Sequence, residues 1–232
     1  MPFKARDTPL LEQLPPRVLS QILKHCDLVE LNFNEIIAEK DKPYKKVYFP
    51  QTAFISLMQP VAAHPAIEIG LIGKEGMLGA SLMLGIMESP FRAVVQGPGT
   101  AYSMPVRDFQ WAINKHSSLL KVLYRYQYVQ IIQTTRVIAC TQFHSVEARL
   151  ASWLLLIHDH VHTDLIQHTH DQLADMLGVL RSAVTIAAGD LQRRKLINYA
   201  RGKINILDRI GLKDMSCGCY TTSRYDYAKQ FS

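Results

Sequence analysis

The sequence predicts an α+β fold in which an N-terminal β-roll is followed by one long helix and a small helical domain. Three observations predict it. Seven short apolar or alternating runs, separated by turn residues, lie between residues 27 and 105. An apolar repeat of threes and fours, uninterrupted by Gly or Pro, extends from residue 119 to about 143. Residues 169–188 then contain two short helical patterns separated by Gly178.

Length and composition limit the class of protein. At 232 residues the chain is long enough for two domains that each bury a core. We expect a roll with flanking helices over 1–116, a long helix over 117–143 and a C-terminal domain over 144–232. No apolar run reaches the roughly 18 residues of a membrane helix, and the first residues lack a signal-peptide core, so a cytoplasmic protein is expected without a membrane partner. The net charge of +6 favours a polyanionic partner.

The N-terminal half begins with one amphipathic helix over 9–25, with Pro15 and Pro16 near a helix start. The runs that follow have the length and alternation of strands, and they predict an all-β roll of about 80 residues that is able to enclose a small ligand. The predicted strands are 28–33, 35–38, 46–49, 53–58, 66–72, 91–96 and 100–104.

The most informative part of the roll is a glycine-rich segment, residues 70–81, followed by Arg92. Backbone N–H groups of such a loop, together with an arginine, can bind a phosphate. Tight turns in the roll are an equally good explanation of the glycines. A nucleoside-triphosphate P-loop is excluded because Lys74 is followed by Glu75 instead of Ser or Thr. The candidate effector pocket comprises Gly76, Gly79, Ala80, Ser81, Arg92 and Ala93.

A short helix over 106–116 precedes the long helix, which is a rod of roughly 35 to 40 Å. Its apolar stripe requires a partner surface, and we expect the same helix of a second subunit, with packing on its own roll as the alternative. A further amphipathic helix over 145–158 is expected to support the C-terminal domain. The stripe consists of Leu119, Val122, Leu123, Tyr126, Val129, Ile132 and Val137.

Residues 169–188 predict a helix-turn-helix. Thr169 and Gln172 have the spacing of a capping box, and Gly178 can end the first helix in a left-handed conformation. An ordinary helical hairpin in a core is the alternative. The first helix buries Leu173, Ala174 and Leu177, and the second buries Val179, Val184 and Ala187. The outward side chains of the second helix are Arg181, Ser182, Thr185 and Ile186.

A β-hairpin is predicted next, because residues 196–208 alternate apolar and polar on both sides of the turn 200–203. Between residues 181 and 203 six basic residues face one acid, Asp190, which gives a local charge of about +5. DNA phosphates are the natural partner of such a surface. The basic residues are Arg181, Arg193, Arg194, Lys195, Arg201 and Lys203.

The cysteines and histidines are not expected to hold a metal ion. The pair Cys217 and Cys219 lacks a second pair at zinc-finger spacing, so the four cysteines are expected to be free thiols. Five histidines crowd one loop; a metal bound by His158 and His162 is the alternative, but solvated side chains are favoured because no Cys or paired carboxylate accompanies them. They are His158, His160, His162, His168 and His170.

A roll with a glycine-rich loop, one long helix and a winged helix-turn-helix occur in this order in the Crp/Fnr family of bacterial transcription regulators, which the chain resembles over roughly residues 10–212. The resemblance is strongest over 169–203. It implies a cyclic-nucleotide-binding-like jelly roll, no enzymatic activity and a homodimer formed through the 117–143 helix. It also implies two recognition helices in successive major grooves of double-stranded DNA, and RNA polymerase as a partner if the protein is an activator.

The resemblance also suggests roles for individual residues. Arg181 matches the arginine that contacts guanine O6 and N7, whereas Ser182 and Ile186 stand where the best-known members have Glu and Arg, so a different half-site is expected. Leu180 occupies the usual Ser or Thr cap position. Residues at phosphate-contacting positions are Thr169, His170 and Lys203. The full candidate DNA-binding set is Thr169, His170, Arg181, Ser182, Thr185, Ile186, Arg201 and Lys203.

The sensor departs from the family pattern. Cyclic-nucleotide-binding members have a Glu for the ribose hydroxyl where this chain has Ala80, and Arg-Ser or Arg-Thr where it has Arg92 and Ala93. An unpaired buried hydroxyl costs about 1–3 kcal/mol, so cyclic AMP is not expected and the effector is unknown. Two other classes of function are the alternatives. A cupin-like metalloenzyme is excluded because the roll contains only His64, and an interaction or ligand-binding module that no longer binds DNA is the alternative function.

Overall fold

The structure is a computed structural model that describes residues 8–161 and 164–231. It begins with two short helices, α1 (Pro9–Glu12) and α2 (Pro16–Leu23). The prediction of one helix over 9–25 is therefore wrong. Pro15 has an extended conformation, with φ −53° and ψ 138°, because the ring of Pro16 disfavours a helical conformation in the residue before it.

Seven antiparallel strands form the roll, as predicted, and the α+β fold class is confirmed. One sheet has the order β1-β7-β3 and the other the order β2-β6-β4-β5. Alternating side chains form a core between strands, where Leu31, Ala53, Val95 and Ala101 are at most 4% exposed. The strands are β1 (Asp27–Leu31), β2 (Ile36–Ala38), β3 (Lys46–Pro50), β4 (Phe54–Val61), β5 (His64–Ile72), β6 (Arg92–Gly97) and β7 (Gly99–Pro105).

The long helix is present as predicted, but the expectation for its apolar stripe is wrong in part. Helix α3 (Val106–Lys115) is followed by α4 (Ser117–Phe143), which at 27 residues is about 40 Å long. The first five stripe residues are buried within this chain, for example Tyr126, whose hydroxyl donates to the carbonyl of Met77 at 3.2 Å. These residues cover their own roll, so they cannot form a surface for a second subunit.

The remaining elements belong to the C-terminal part. They are α5 (Val146–Val161), β8 (Leu165–Gln167), α6 (His170–Leu177), α7 (Arg181–Arg193), β9 (Ile197–Ala200), β10 (Lys203–Ile206), α8 (Arg209–Met215) and α9 (Cys219–Phe231). Strand β8 and the last two helices lie where no element was predicted. Strand β8 pairs with β10, which also pairs with β9, so the sheet has the order β8-β10-β9.

The chain forms two compact units. The first contains Met1–Met58, Gly70–Ile131 and Tyr227–Ser232, and the second contains Gln59–Ile69 and Ile132–Asp226. Adjacent residues of α4 thus belong to different units, and the division predicted at residues 116 and 143 stays a prediction. Within the described ranges, no helix combines the length and the apolar character needed to cross a membrane.

Candidate nucleic-acid interface

Helix α6 begins at the predicted capping box. The backbone N–H of Gln172 donates to Thr169 Oγ1 at 3.2 Å, and the backbone N–H of Thr169 donates to Gln172 Oε1 at 2.8 Å. The two residues thus satisfy backbone donors at the first turn reciprocally. This places the start of α6 at a defined residue, and the side chains on the opposite face, Leu173, Ala174 and Leu177, are buried as predicted.

The turn between α6 and α7 is held by a glycine and a buried arginine. Gly178 has φ 62° and ψ 43°, in the left-handed region that glycine adopts without strain, and its N–H donates to carbonyls of the last turn of α6. Arg149 of α5 is only 9% exposed, and its Nη2 donates to the carbonyl of Leu177. Arg149 therefore satisfies an orphan carbonyl at the end of α6. This role could not be predicted from the sequence, because the two residues are 28 positions apart in the chain.

Helix α7 directs its predicted face outward. Val184 and Ala187 are buried, whereas Val179, predicted to be buried, is only partly covered. Leu180 is the N-cap and makes no side-chain hydrogen bond there, so the absence of a capping Ser or Thr does not move the helix start away from Arg181. The exposed residues are Arg181, Ser182, Thr185 and Ile186.

Arg181 is paired in the free protein. Its Nε lies 3.3 Å from Oδ1 of Asp171, in the first turn of α6. Both side chains are about two-thirds exposed, at 67% and 69%, so solvent screens the pair and the guanidinium stays accessible to a ligand. Asp171 was not identified from the sequence, although an acid in the first turn of a helix is a common local signal.

His170 joins α6 to α7 and to the hairpin. Its Nδ1 lies 3.0 Å from Thr185 Oγ1, and its ring stacks on Tyr199 with centroids 4.3 Å apart. Because the Thr185 hydroxyl donates to the carbonyl of Arg181, it accepts from the imidazole N–H. Burial and the charge of Arg181 lower the pKa of His170, which favours the neutral ring. The side chain predicted to contact phosphate is therefore engaged within the protein.

The hairpin forms as predicted, with its tip beside the start of α6. Arg201 and Gly202 form the turn with φ 51° and 75°. A Cβ at Gly202 would lie 3.5 Å from Thr169 Cγ2, which puts the tip against the capping residue of α6. Arg201 and Lys203 are both exposed. Thus one continuous surface, hereafter the basic surface, is formed by the start of α6, the outward face of α7 and the tip of the hairpin, which is the wing of the helix-turn-helix.

The charge of this region is reduced locally by acids. Asp190 forms an i,i+3 ion pair with Arg193, and Asp171 pairs with Arg181. The local charge estimated from the sequence counted Asp190 but not Asp171. The other basic residues of the predicted set are exposed: Arg194, Lys195, Arg201 and Lys203.

The predicted effector residues lie in the roll. Arg92 lies on the exposed side of β6 and its Nε donates to Glu39 at 2.9 Å, while Ala93 is fully buried on the other side. A Cβ at Gly76 would lie 2.5 Å from the hydroxyl of Tyr126, so this position is filled by the side chain of α4. The arginine predicted to bind phosphate thus has a carboxylate as its partner.

The rest of the loop forms a 3-10 helix, Ala80–Leu84. Gly79 precedes it with φ 95°, and Ala80 is buried. The buried hydroxyl of Ser81 has no hydrogen-bond partner among the residues that the structure describes. Glycines at 79 and 85 supply positive φ at the two ends of this turn, which supports the turn explanation of their spacing.

The histidines differ from the predicted solvated loop. His168 is 3% exposed and contacts Trp153 edge-on with ring centroids 5.0 Å apart. Burial lowers its pKa to about 4. His158 lies 2.9 Å from Asp164, and His162 lies outside the described residues. The prediction of a solvated side chain is wrong for His168, because this residue directly follows β8 and is itself buried. A strand of only three residues gave no recognisable sequence pattern.

The sequence is similar to known regulators. Residues 148–215 match the family model described as a Crp-like helix-turn-helix domain. The global nitrogen regulator of Nostoc sp. is 26% identical over 183 residues, covering 75% of this chain and 82% of that protein. The transcriptional regulator SdrP of Thermus thermophilus is 31% identical over 109 residues, which are 44% of this chain and 54% of that protein.

Solved structures have the same fold. A protein from Eubacterium rectale assigned to the Crp/Fnr family of transcriptional regulators matches with a TM-score of 0.70 and 17% identity, over 90% of this chain and 98% of that one. A Crp/Fnr family transcriptional regulator from Thermus thermophilus matches with a TM-score of 0.67 and 22% identity, over 82% and 98%. Residues 148–215, which match the family model, include the whole basic surface.

Proposed function

We propose that this chain is a DNA-binding transcription regulator of the Crp/Fnr type, and that it acts as a homodimer whose two α7 helices enter successive major grooves of a near-palindromic site. The continuity of the basic surface carries this proposal. Contacts of His170 with Thr185 and Tyr199 hold α6, α7 and β9 together, so base-contacting and phosphate-contacting groups keep a constant spacing.

Within that surface we assign two kinds of contact. Arg181 contacts guanine O6 and N7, and Ser182, Thr185 and Ile186 contact neighbouring base edges, because they share the outward face at the start of α7. Phosphates are bound by Thr169 at the start of α6 and by the wing residues Arg201 and Lys203. His170 positions Thr185 in this proposal, since its own N–H is used by that hydroxyl.

A second face of α4 supports the homodimer. Tyr124, Tyr128, Ile131 and Ile138 are each more than half exposed, and together with Thr135 they are spaced by alternating fours and threes. That spacing is the heptad pattern of a helix paired with another helix. We therefore assign the dimer contact to this face instead of the buried stripe. The charge-introducing variant Ile131→Glu is expected to halve the mass measured by light scattering, and an unchanged dimeric mass would contradict the assignment.

We propose that cyclic AMP is not the effector. Ala80 stands where a carboxylate would be needed and offers no acceptor to a ribose hydroxyl. DNA affinity is therefore expected to be unchanged by cyclic AMP, and the chemistry of any other effector is left open. If the protein activates transcription, RNA polymerase is its further partner.

The experiment compares three single substitutions by fluorescence anisotropy on a footprinted genomic site and on random duplex. Arg181→Ala is expected to weaken binding to the specific site by about 5- to 150-fold and to remove the preference at one guanine. Lys203→Ala is expected to weaken binding to both duplexes and to reduce by about one the slope of the logarithm of the binding constant against the logarithm of the salt concentration. Arg17→Ala, which removes an exposed charge from α2, is the matched control.

Equal losses on both duplexes for Arg181→Ala and Lys203→Ala would overturn the residue assignment. Failure of the wild-type dimer to bind any duplex would favour the alternative, an interaction or ligand-binding module whose helix-turn-helix does not bind DNA.

A further inference from the structure

Four metal-binding side chains meet at the C-terminal end of α4. Cys140, His144, Cys217 and Cys219 each offer one ligand atom, and these four atoms all lie within 4.8 Å of one another. Cys140 Sγ lies 3.5 Å from Cys217 Sγ, and Cys219 Sγ lies 3.6 Å from His144 Nδ1. In the sequence only Cys217 and Cys219 are close together, because the other two side chains are more than 70 residues earlier in the chain.

Local structure explains how the ligands converge. Cys140 and His144 are four residues apart at the end of α4, where the N–H of His144 still donates to the carbonyl of Cys140 at 3.0 Å, so both side chains lie on one face. Cys217 and Cys219 flank Gly218, with Cys217 in the short link between α8 and α9 and Cys219 at the first residue of α9. The ligands therefore come in two pairs, one from each segment, as in many structural zinc sites.

The spacing of the atoms fits tetrahedral coordination. With Zn–S bonds of about 2.3 Å and Zn–N bonds of about 2.0–2.1 Å, the edges of the tetrahedron are roughly 3.7 Å between sulfurs and roughly 3.5 Å between sulfur and nitrogen. The observed separations of 3.5 Å and 3.6 Å are close to these edges. Small adjustments of the side chains would bring the remaining pairs, which are within 4.8 Å, to the same lengths.

We propose that this chain binds one Zn²⁺ ion through Cys140, His144, Cys217 and Cys219. Three thiolates and one imidazole in a compact tetrahedral arrangement are a donor set that selects zinc over hard cations such as Mg²⁺ and Ca²⁺. Four protein ligands leave no open position, so the site is structural and not catalytic.

The surroundings suit such an ion. Three thiolates around Zn²⁺ leave one net negative charge, and the cationic side chains near the cysteines are Arg149 and Arg136, of which Arg136 is itself paired with Asp226. Ser152 Oγ donates to the carbonyl of Ala148 and accepts the backbone N–H of Cys217 at 3.1 Å, which holds the backbone of this ligand. Outer groups of this kind hold ligands in place around structural metals.

The consequence is a cross-link within the second compact unit. The ion would join the end of α4 to the link between α8 and α9, segments that flank the helix-turn-helix and its wing in the sequence. Zinc at a site of this kind binds only the folded chain, so it stabilises the unit by an amount that grows with the logarithm of its affinity.

The test uses the full-length chain without an affinity tag, purified under reducing conditions. Elemental analysis is expected to find about one zinc per chain, and replacement by Co²⁺ is expected to give the visible d–d bands of a tetrahedral site and a thiolate-to-cobalt charge-transfer band. Cys219→Ser and His144→Gln change positions that are not fully buried. Each variant is expected to lower the zinc affinity by more than about 10- to 100-fold, which is the loss typical of removing an outer-sphere partner.

Matched controls remove the same groups elsewhere. Cys26 and His64 lie outside the cluster. The variants Cys26→Ser and His64→Gln are expected to keep one zinc per chain and the cobalt spectrum. The proposal is overturned if the reduced wild type binds neither Zn²⁺ nor Co²⁺, or if the controls lose metal as the cluster variants do. It is equally overturned if mass spectrometry finds a Cys140–Cys217 disulfide in protein that was purified with zinc present.

Discussion

Arg181 Nε and Asp171 Oδ1 are 3.3 Å apart, across the turn that joins α6 to α7. The pair links the residue assigned to guanine with an acid that would face the DNA phosphates. Exposed pairs of this kind contribute about 0–1 kcal/mol, so DNA can displace Asp171 from the guanidinium at small cost. We therefore expect the carboxylate to orient the arginine in the free protein and to repel phosphate when DNA is bound.

The first prediction concerns Asp171→Asn. Removal of a negative charge beside the phosphates is expected to tighten binding to specific and random duplexes by roughly two- to fivefold, the range of an exposed pair. Because Arg181 loses its orienting partner, the ratio between the two affinities is expected to fall. Anisotropy titrations at two salt concentrations measure both effects.

Asp214→Asn provides the control, because Asp214 is an exposed acid of α8 and not part of the basic surface. Weaker binding of Asp171→Asn to both duplexes would mean that Asp171 contributes favourably to the complex, and the proposed repulsion would be wrong.

Much of the C-terminal fold could be predicted because its signals are local. The capping box of Thr169 and Gln172, the left-handed Gly178 and the turn at Arg201 and Gly202 each depend on residues within a few positions of one another. Short apolar or alternating runs bounded by turn residues similarly identified the seven strands of the roll. In these cases the backbone conformation is determined by neighbours that the sequence shows directly.

Features that depend on distant residues could not be predicted. Strand β8 has three residues and exists only because β10 pairs with it. The bond from Arg149 to Leu177 joins residues 28 positions apart. The same applies to the meeting of Cys140 with Cys217, 77 positions apart, since spacing alone gives no information on which segments converge. The apolar stripe of α4 was identified, but which face the roll would cover depends on the tertiary structure.

The second prediction concerns the buried arginine. Arg149→Met keeps most of the apolar contact but leaves the carbonyl of Leu177 without its charged donor, and hydrogen bonds to charged groups contribute about 1.5–3 kcal/mol. The free energy of unfolding measured in urea is expected to fall by that amount. Arg17→Met, which truncates an exposed arginine of α2, is expected to change it by less than about 0.5 kcal/mol. Equal stability of Arg149→Met and the wild type would contradict the role of Arg149.

The third prediction is a loss of stability in mild acid caused by His168. Burial lowers the pKa of this imidazole from 6.5 to about 4 in the folded state, so between these values the unfolded chain binds more protons than the folded one. Stability from the neutral ring is present above pH 6.5 and is lost as the pH falls toward 4. The contribution is about 3 kcal/mol at most.

Urea unfolding of His168→Gln from pH 7.5 to 4.5 isolates this effect. The variant is expected to be less stable at neutral pH, because its contact with Trp153 is lost, but to show a shallower pH dependence than the wild type. His64→Gln, at an exposed position, is expected to retain the full dependence. A slope for His168→Gln equal to that of the wild type would show that other groups cause the acid sensitivity.

The last prediction concerns the outward face of α7, where Gly189 follows Ile186 by three residues and Thr185 by four. A Cβ at Gly189 would meet nothing within 4 Å, and its φ is not positive, so alanine fits without strain. Because glycine inside a helix costs about 0.5–1 kcal/mol relative to alanine, Gly189→Ala is expected to raise the free energy of unfolding by that amount.

If α7 lies in the major groove, the same face approaches the DNA backbone, and Gly189→Glu is expected to weaken binding to every duplex roughly three- to tenfold through its added charge. Anisotropy and urea unfolding on both variants separate these effects, since the alanine variant changes stability and the glutamate variant changes affinity. Unchanged DNA binding by Gly189→Glu would place this face of α7 away from the duplex and contradict the proposed docking.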